Sequence, residues 1–406
     1  MFIRNIFKLV SGTAVAQVLP LAVLPFMTMK LGADSFGVYT LFYTTLMMLG
    51  ALTSLRFEYA INAARNAREE RQLVAISLVL NLVNFIILSG ATVFLFYFDV
   101  LSWYWLMLPL AVVGMGVNQV FYMHANYSGL FTLMSGSKLA NSAVCACVQI
   151  VLVFYLDIEA GAYIGLVVGF WFSNVILFKS IERKQLNRSM FSKVALSVTF
   201  RRNINYLKFV FPGTFVNYIS SNCPIYLIGF FYGASFSGYY GLATRLAGMP
   251  TALIGRAIGE VYRARALDEY KRLNNFKDSF VKVSLFSAST GILGFLLFYL
   301  LSEWLIVLLF GEAWLETSIY IKILMPMFFL QYLTSPVSYS MMISGRQAQE
   351  FNWQLFRFFF LLAVLAGAFL YSNSPLLSVV ATSFSLSVSF IIYYFYCFRA
   401  SLGGKA

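Results

Sequence analysis

Long apolar stretches alternate with short polar connections from one end of the chain to the other. Each stretch has about 20 residues, which is enough for a helix to cross a hydrocarbon core of about 30 Å. The longest polar connection has about thirty residues, so no soluble domain is expected. The pattern predicts twelve spanning helices, at 6–29, 37–55, 74–97, 104–124, 138–156, 161–178, 209–231, 239–262, 283–302, 318–343, 354–372 and 376–398.

The two halves of the chain repeat short motifs at a nearly constant spacing. The matches at an offset of 201 residues are Gly12-Thr13 with Gly213-Thr214, Gly32-Ala33 with Gly233-Ala234, Gly37-Val38-Tyr39 with Gly238-Tyr239-Tyr240, and Trp103 with Trp304. Met134-Ser135-Gly136-Ser137 matches Ile343-Ser344-Gly345-Arg346 at an offset of 209, which predicts extra residues at 305–316. A duplicated apolar bundle is typical of transporters whose substrate path lies between the halves.

The repeat predicts how the chain is organised. We expect an all-α integral membrane protein with twelve transmembrane helices in two six-helix lobes, at residues 1–178 and 209–406. Residues 179–208 are basic and polar, which is typical of a cytoplasmic linker. Because each lobe has an even number of spans, both lobes take the same orientation, and a parallel pseudo-twofold should relate them.

Composition and charge agree with a membrane location. Apolar residues make up 60 % of the chain and charged residues only 11 %. Lys and Arg concentrate in alternate connections and at both ends, whereas the other connections carry mostly acids. The positive-inside rule therefore predicts that both termini are cytoplasmic. The net charge of +13 then reflects topology and attraction to anionic lipids, and no nucleic-acid partner is expected.

Side chains that many catalytic sites need are scarce. His124 is the only histidine, so a histidine-based metal cluster is not expected. It ends the predicted fourth span, where an interfacial hydrogen bond and a proton relay are both open interpretations. The four cysteines lie in apolar spans, and no G-x-x-x-x-G-K-[ST] phosphate loop is present. We therefore expect a protein that is not an enzyme and that uses no metal or cofactor.

Charged residues inside the predicted spans are the main candidates for a binding site. Such a charge costs about 2.5–3.5 kcal/mol at a helix centre on insertion scales, so it usually faces a cavity or a partner. Arg245 is the clearest case, and Arg256 and Glu260 have the i,i+4 spacing of an ion pair. The remaining candidates for substrate binding are Arg56, Glu58, Lys322, Arg357 and the amides Gln17 and Asn217. Snorkelling of the charges to head groups, and helix bridging by the amides, are open alternatives.

Small residues at four-residue spacing predict close contacts between helices. Gly161, Gly165 and Gly169 have this spacing in the sixth span, and Gly255 and Gly259 have it in the eighth. Glycine at such positions lets two helix backbones approach each other, so we interpret both motifs as packing surfaces.

The character of these candidates favours an anionic substrate. Guanidinium groups bind phosphate through two parallel hydrogen bonds and remain charged at any accessible pH. Polar amides and aromatic rings suit sugars. An amphipathic substrate could leave its lipid tail in the bilayer while only its head crosses a cavity between the lobes.

Several motifs resemble Wzx-type polysaccharide flippases. They are Lys8-Leu9-Val10-Ser11-Gly12-Thr13-Ala14-Val15-Ala16-Gln17, Ser35-Phe36-Gly37-Val38-Tyr39, Ser54-Leu55-Arg56-Phe57-Glu58-Tyr59-Ala60-Ile61, Gly238-Tyr239-Tyr240-Gly241-Leu242-Ala243-Thr244-Arg245 and Gly311-Glu312-Ala313-Trp314. The resemblance implies the multidrug/oligosaccharidyl-lipid/polysaccharide exporter superfamily, with two six-helix lobes in a V and alternating access. It also implies a cationic lumen, which Arg56 and Arg245 would match here.

The resemblance implies a flippase that moves undecaprenyl-pyrophosphate-linked oligosaccharide repeat units from the cytoplasmic to the outer leaflet of a bacterial inner membrane. Such a protein would serve O-antigen and lipopolysaccharide biosynthesis. Its expected partners are the lipid-linked anionic oligosaccharide, membrane lipids and other polysaccharide assembly proteins. A multidrug-type exporter on the same fold is one alternative, and it would favour intramembrane acids. A membrane polysaccharide polymerase or glycosyltransferase is another, and polymerases usually need a long outward loop.

Overall fold

The computed structural model describes residues 2–180 and 192–403, and the side chains from residue 16 onward within these ranges. The chain divides into two compact units, Met1–Phe215 and Val216–Ala406. Regular structure in the described residues is entirely helical.

The first unit begins with one long helix that is interrupted at a single glycine. Helix α1 runs from Phe2 to Gly50, but Gly32 leaves the helical conformation with φ 68° and ψ 176°. The predicted spans 6–29 and 37–55 correspond to its two parts. The other helices of this unit are α2 (Glu58–Ile61), α3 (Ala67–Tyr97), α4 (Leu108–Tyr127), α5 (Phe131–Gln149), α6 (Gly161–Phe178) and α7 (Lys193–Arg202). A π-helical turn, Ile150–Tyr155, continues α5.

The second unit has a comparable series of long helices. They are α8 (Phe211–Tyr232), which begins at the end of the first unit, α9 (Ala234–Pro250), α10 (Arg256–Leu273), α11 (Lys277–Phe310), α12 (Leu315–Val337), α13 (Tyr339–Ile343), α14 (Gln347–Tyr371) and α15 (Pro375–Ser401). A π-helical turn, Thr251–Gly255, joins α9 to α10, and together they contain the predicted eighth span.

The all-α membrane fold predicted from the sequence is confirmed. Within its described residues, each unit contains six long helical segments, if α1 is counted on both sides of Gly32 and if α9–α10 and α12–α13 are each counted once. Within the described residues, nine helical stretches are long and apolar enough to cross a membrane. The chain is therefore a multi-pass membrane protein.

The backbone supports the repeat at its beginning. Gly32 and Gly233 lie 201 residues apart, and both have an extended ψ and a positive φ, with values of 68° and 102°. This combination of angles is essentially restricted to glycine, which explains why both copies have glycine there. Each glycine separates two helical segments that have similar sequences around them.

The predicted equivalences further along the chain are wrong. Trp103 starts a 3-10 turn after α3, whereas Trp304 lies inside α11. Gly136 lies inside α5, whereas Gly345 has a φ of 74° and ends a helix. The counterpart of Gly345 is Gly129, whose φ is 70°.

The helix ends at Gly129 and Gly345 share one hydrogen-bond pattern. The amides of Leu130 and Arg346 donate to the carbonyls of Ala125 and Met341, which is the outer bond of a Schellman motif. This pairing has an offset of 216 residues. The starts of α3 and α11 are already 210 residues apart, so most of the extra residues precede α11 and do not lie at 305–316.

The core of the first unit includes part of the predicted linker. Phe57, Ile61 and Leu73 are fully buried in one hydrophobic cluster. Helix α7 packs on this cluster, because the Phe200 ring stacks on Phe57 with their centroids 4.8 Å apart. Residues 181–191 of the predicted linker lie outside the described residues.

The glycine motif of α6 packs closely on α5, as predicted. A Cβ atom at Gly165 would lie 2.5 Å from the Gln149 side chain, and one at Gly169 would lie 2.9 Å from the Asn141 carbonyl oxygen. The motif of Gly255 and Gly259 packs closely at its second glycine only. A Cβ atom at Gly255 would meet its nearest neighbour at 3.6 Å, whereas one at Gly259 would lie 3.1 Å from the Tyr339 ring.

Candidate functional site

Arg357 on α14 is a buried cation that neutral groups hold in place. The residue is only 6 % exposed. Its Nη2 atom donates to the Asn217 Oδ1 atom at 2.7 Å, and it lies 3.5 Å from the Ser221 Oγ atom. Both partners belong to α8. The guanidinium also lies 4.9 Å from the ring centre of Trp353, one turn earlier on α14.

The Trp353 ring is itself fixed by α15. Its Nε1 atom donates to the Ser389 carbonyl oxygen at 2.9 Å, and its ring stacks on Tyr393 with their centroids 3.9 Å apart. Three helices of the second unit therefore define the position of the Arg357 guanidinium.

No carboxylate among the described residues forms an ion pair with Arg357. Its Nε atom is buried and has no hydrogen-bond partner within the described part of the protein. A buried guanidinium without a counter-ion is unfavourable unless an anion compensates its charge. The chemistry of this site therefore suits a phosphate, which can accept two parallel hydrogen bonds from a guanidinium.

Arg56 differs from Arg357 because the first unit supplies its counter-ion. Its Nη1 atom lies 3.2 Å from the Glu58 Oε1 atom, and both side chains are buried. Glu58 also accepts a hydrogen bond from the Ser54 hydroxyl. The Arg56 guanidinium lies 5.1 Å from the ring centre of Tyr59. The sequence-predicted residues Arg56 and Glu58 thus meet each other in an ion pair.

The segment that carries this ion pair has an unusual backbone. Leu55 and Arg56 both have positive φ, with values of 50° and 66°. Residues other than glycine seldom adopt the left-handed region of positive φ. Two such residues in succession require support from their surroundings. The buried pair with Glu58 supplies such support, because it holds the Arg56 side chain in place.

The predicted pair between Arg256 and Glu260 does not form. Both residues are exposed on α10. The Glu260 carboxylate lies 3.9 Å from the Arg263 guanidinium and accepts a hydrogen bond from the Tyr339 hydroxyl at 3.1 Å. Arg263 and Tyr339 therefore replace Arg256 as its partners. Arg245 lies on α9 and is partly buried.

Lys322 and Gln17 lie on other helices. The Lys322 Nζ atom on α12 forms an ion pair with Glu303 on α11, at 2.8 Å. Gln17 lies on α1 in the first unit, where its Oε1 atom is buried without a hydrogen-bond partner among the described residues. Among the predicted residues of the second unit, Asn217 is the one that forms a hydrogen bond with Arg357.

Two buried acids at the start of α3 were not among the predicted site residues. The Glu70 carboxylate lies 2.6 Å from the His124 Nδ1 atom, and the Glu69 carboxylate lies 3.6 Å from Arg202 on α7. The His124 Nε2 atom lies 3.3 Å from the Ser180 carbonyl oxygen. The sequence Asn66-Ala67-Arg68-Glu69 does predict the start of a helix, because the Asn66 side chain caps α3. It does not predict the contacts of Glu69 and Glu70 with other helices.

Ser221 and Trp353 were also missed, although both contact Arg357. Trp353 precedes Arg357 by four residues, and this helical spacing could have identified it. Ser221 lies 136 residues away in sequence, so no local pattern indicates that contact.

The fold is similar to that of several solved transporters. The lipid II flippase MurJ in an inward closed conformation matches with a TM-score of 0.76 and 13 % identity, over 96 % of this chain and 86 % of that chain. An inward-facing multidrug resistance MATE family transporter of the MOP superfamily matches with a TM-score of 0.71 and 13 % identity, over 97 % and 94 % of the two chains.

A further structure is a MOP superfamily transporter from Pyrococcus furiosus, described as having a binding pocket of reverse polarity that suggests a different function. It matches with a TM-score of 0.66 and 13 % identity, over 98 % of this chain and 95 % of that chain. No curated protein sequence gives a significant match. Residues 26–319 match the family model described as polysaccharide biosynthesis protein. The chain therefore belongs to this polysaccharide biosynthesis family and has the fold of MOP superfamily transporters.

Proposed function

We propose that this protein flips undecaprenyl-pyrophosphate-linked oligosaccharide repeat units from the cytoplasmic to the outer leaflet of a bacterial inner membrane by alternating access. The family match supports a role in polysaccharide biosynthesis. The similar fold of a lipid II flippase supports a lipid-linked substrate. The repeat unit would serve O-antigen or lipopolysaccharide assembly, and other assembly proteins would supply and consume it.

The observation that carries this proposal is the buried Arg357 guanidinium with its neutral partners. A pyrophosphate head group would compensate this charge and satisfy the Nε atom, which has no partner among the described residues. Asn217 would orient the guanidinium without neutralising it, because an amide oxygen carries no net charge. Arg245 is a proposed second cation for the head group, since it is partly buried on α9.

The charge of the substrate also gives a direction to transport. An inside-negative potential favours moving an anionic head outward by about 2.3 kcal/mol per charge per 100 mV. A cation at Arg357 would lower the cost of bringing that head into the membrane, and the potential would favour its outward release. Collapse of the potential is therefore expected to slow export.

A multidrug-type exporter on the same fold is the alternative, because MATE transporters share this fold. Such a protein would need a buried acid that is available to a cationic drug. The buried Glu58 and Glu70 instead have partners within the first unit, Arg56 and His124. The reverse pocket polarity described for the Pyrococcus furiosus transporter supports the idea that pocket charge differs between functions in this superfamily.

The proposal is tested by deleting the gene and following lipid-linked repeat units by leaflet. We expect these units to accumulate in the cytoplasmic leaflet, and wild-type protein to restore export. Arg357→Ala should not restore export, although its abundance should be near normal. Arg357→Lys should restore export only in part, because the planar fork is lost. Normal leaflet distribution in the deletion strain would contradict the proposed function.

A further inference from the structure

An open apolar cavity lies at the surface of the second unit, between α8, α14 and the start of α15. Its volume is about 380 Å³, within the usual range of ligand pockets. Its lining includes Ile228, Phe231 and Tyr232 from α8, Leu365 and Phe369 from α14, and Ser378 from α15. The Phe231 and Phe369 rings contact each other, with their centroids 4.0 Å apart.

The interior of this cavity offers little to a polar ligand. Tyr232 and Ser378 are polar lining residues, and their hydroxyl oxygens lie 2.8 Å apart in one hydrogen bond. Each hydroxyl is thus already engaged by the other. The remaining lining is aliphatic and aromatic, so the cavity suits a hydrocarbon chain better than a sugar.

The cavity and the Arg357 site share one face of α8. Asn217, Ser221, Ile228 and Tyr232 follow at intervals of four, seven and four residues, which keeps all four on the same side of a helix. The first two contact the Arg357 guanidinium, and the last two line the cavity. One face of α8 is therefore polar at one end and apolar at the other.

Helix α14 has the same arrangement. Arg357, Leu361 and Leu365 follow at four-residue intervals and are all buried. Leu365 lines the cavity, so the distance from Arg357 to this lining is about 12 Å along the helix axis. Leu361 lies between them and is fully buried. A ligand that has a phosphate at one end and a hydrocarbon chain at the other matches both elements.

We infer that this cavity binds the isoprenoid chain of the carrier lipid while Arg357 binds the adjoining phosphate, an inference that rests on the proposed function. The lipid would therefore enter a defined site within the second unit, with its phosphate end near Arg357 and its chain directed toward Tyr232. The contact between substrate and protein would include the first isoprenoid units in addition to the head group.

The inference is tested with purified full-length protein and farnesyl phosphate that carries a photoreactive diazirine on its last isoprenoid unit. We expect labelling on peptides from Phe211–Tyr232 and Gln347–Tyr371. Ala366→Trp should lower labelling about tenfold, because the indole fills the cavity that Ala366 lines. Arg357→Ala should lower the affinity for the probe about ten- to hundredfold, because charge-assisted hydrogen bonds are lost.

The matched control is Ala363→Trp, which adds the same ring to the same helix outside the cavity lining. Ala363 is exposed, so labelling should stay within about twofold of wild type. Unlabelled farnesyl phosphate should displace the probe far better than farnesol, which lacks the phosphate. Equal displacement by phosphatidylglycerol would indicate an ordinary membrane-lipid site and overturn the inference. Unchanged labelling in Ala366→Trp would overturn it as well.

The two proposals can fail separately. If repeat units accumulate in the deletion strain but Ala366→Trp labels like wild type, the flippase function stands and the chain-binding site does not. If labelling depends on Ala366 and Arg357 but the deletion strain has a normal leaflet distribution, the protein binds an isoprenoid phosphate and has another function.

Discussion

The Arg357 Nη2 atom donates to the Asn217 Oδ1 atom over 2.7 Å, although 140 residues separate them in sequence. A neutral amide on α8 thus orients a buried cation on α14 and leaves its charge uncompensated. This relationship distinguishes Arg357 from Arg56, whose charge is balanced by Glu58 at 3.2 Å.

Asn217→Asp should abolish the anion site while it keeps the hydrogen bond. The new carboxylate would lie against the guanidinium at nearly the same distance and would compete with the substrate phosphate. We expect surface polysaccharide per protein molecule to fall by at least about tenfold, with unchanged protein abundance. Asn217→Ser keeps a neutral acceptor and serves as the control. Wild-type export in Asn217→Asp would remove Arg357 from the proposed site.

Glu58→Ala should destabilise the first unit strongly. It would leave the buried Arg56 without its carboxylate, and breaking such a pair typically costs about 3–5 kcal/mol. Replacing both residues, as in Arg56→Met with Glu58→Leu, should cost much less, because no uncompensated charge remains. The measurement is the unfolding midpoint in detergent for the two variants. A double variant that is no more stable than Glu58→Ala would contradict this interpretation.

Gly32→Ala and Gly233→Ala should each destabilise the protein by about 1–3 kcal/mol, because alanine is strained in this backbone region. A Cβ atom would meet nothing within 4 Å at either position, so the cost comes from the backbone alone. Gly90 is the control, since it lies inside α3 with equally open space around it. Gly90→Ala should be neutral or stabilising by up to about 1 kcal/mol. Thermal unfolding of all three variants checks the prediction, and equal midpoints would refute it.

Gly169→Ala should weaken the packing between α5 and α6. Its methyl group would lie 2.9 Å from the Asn141 carbonyl oxygen, which is backbone and cannot move aside easily. We expect a loss of about 1–3 kcal/mol, as for overpacked cores. Gly136→Ala is the matched control on α5, because a Cβ atom there meets nothing within 4 Å. A smaller loss of thermal stability in Gly169→Ala than in Gly136→Ala would show that the contact can relax.

The helices could be predicted from the sequence because the membrane restricts the alternatives. Each apolar run long enough to cross the bilayer has to satisfy its backbone hydrogen bonds internally, so it forms a helix. Gly32 and Gly233 could be matched because their backbone angles require glycine. Trp103 and Trp304 could not be tested in this way, since tryptophan is common near membrane surfaces and no backbone constraint requires it.

The partners of the charged residues could be predicted much less well. The i,i+4 spacing predicted an ion pair between Arg256 and Glu260. The Glu260 carboxylate instead contacts Tyr339 on α13 and Arg263 on α10. Lys322 and Glu303 lie on different helices, and the pattern within either helix does not indicate their contact. Whether a buried cation is compensated depends on such tertiary contacts, so sequence alone ranked Arg245 above Arg357.

Because no carboxylate in the described part of the chain pairs with Arg357, handling of the protein is affected as well. A ligand that binds the folded state raises its stability in proportion to the logarithm of its concentration over its dissociation constant. Detergent extraction removes the natural lipid, so the purified protein would carry the desolvation cost of this guanidinium alone. Its melting temperature therefore becomes a reporter of ligand chemistry. A panel of lipid phosphates could identify the carrier before any transport assay exists.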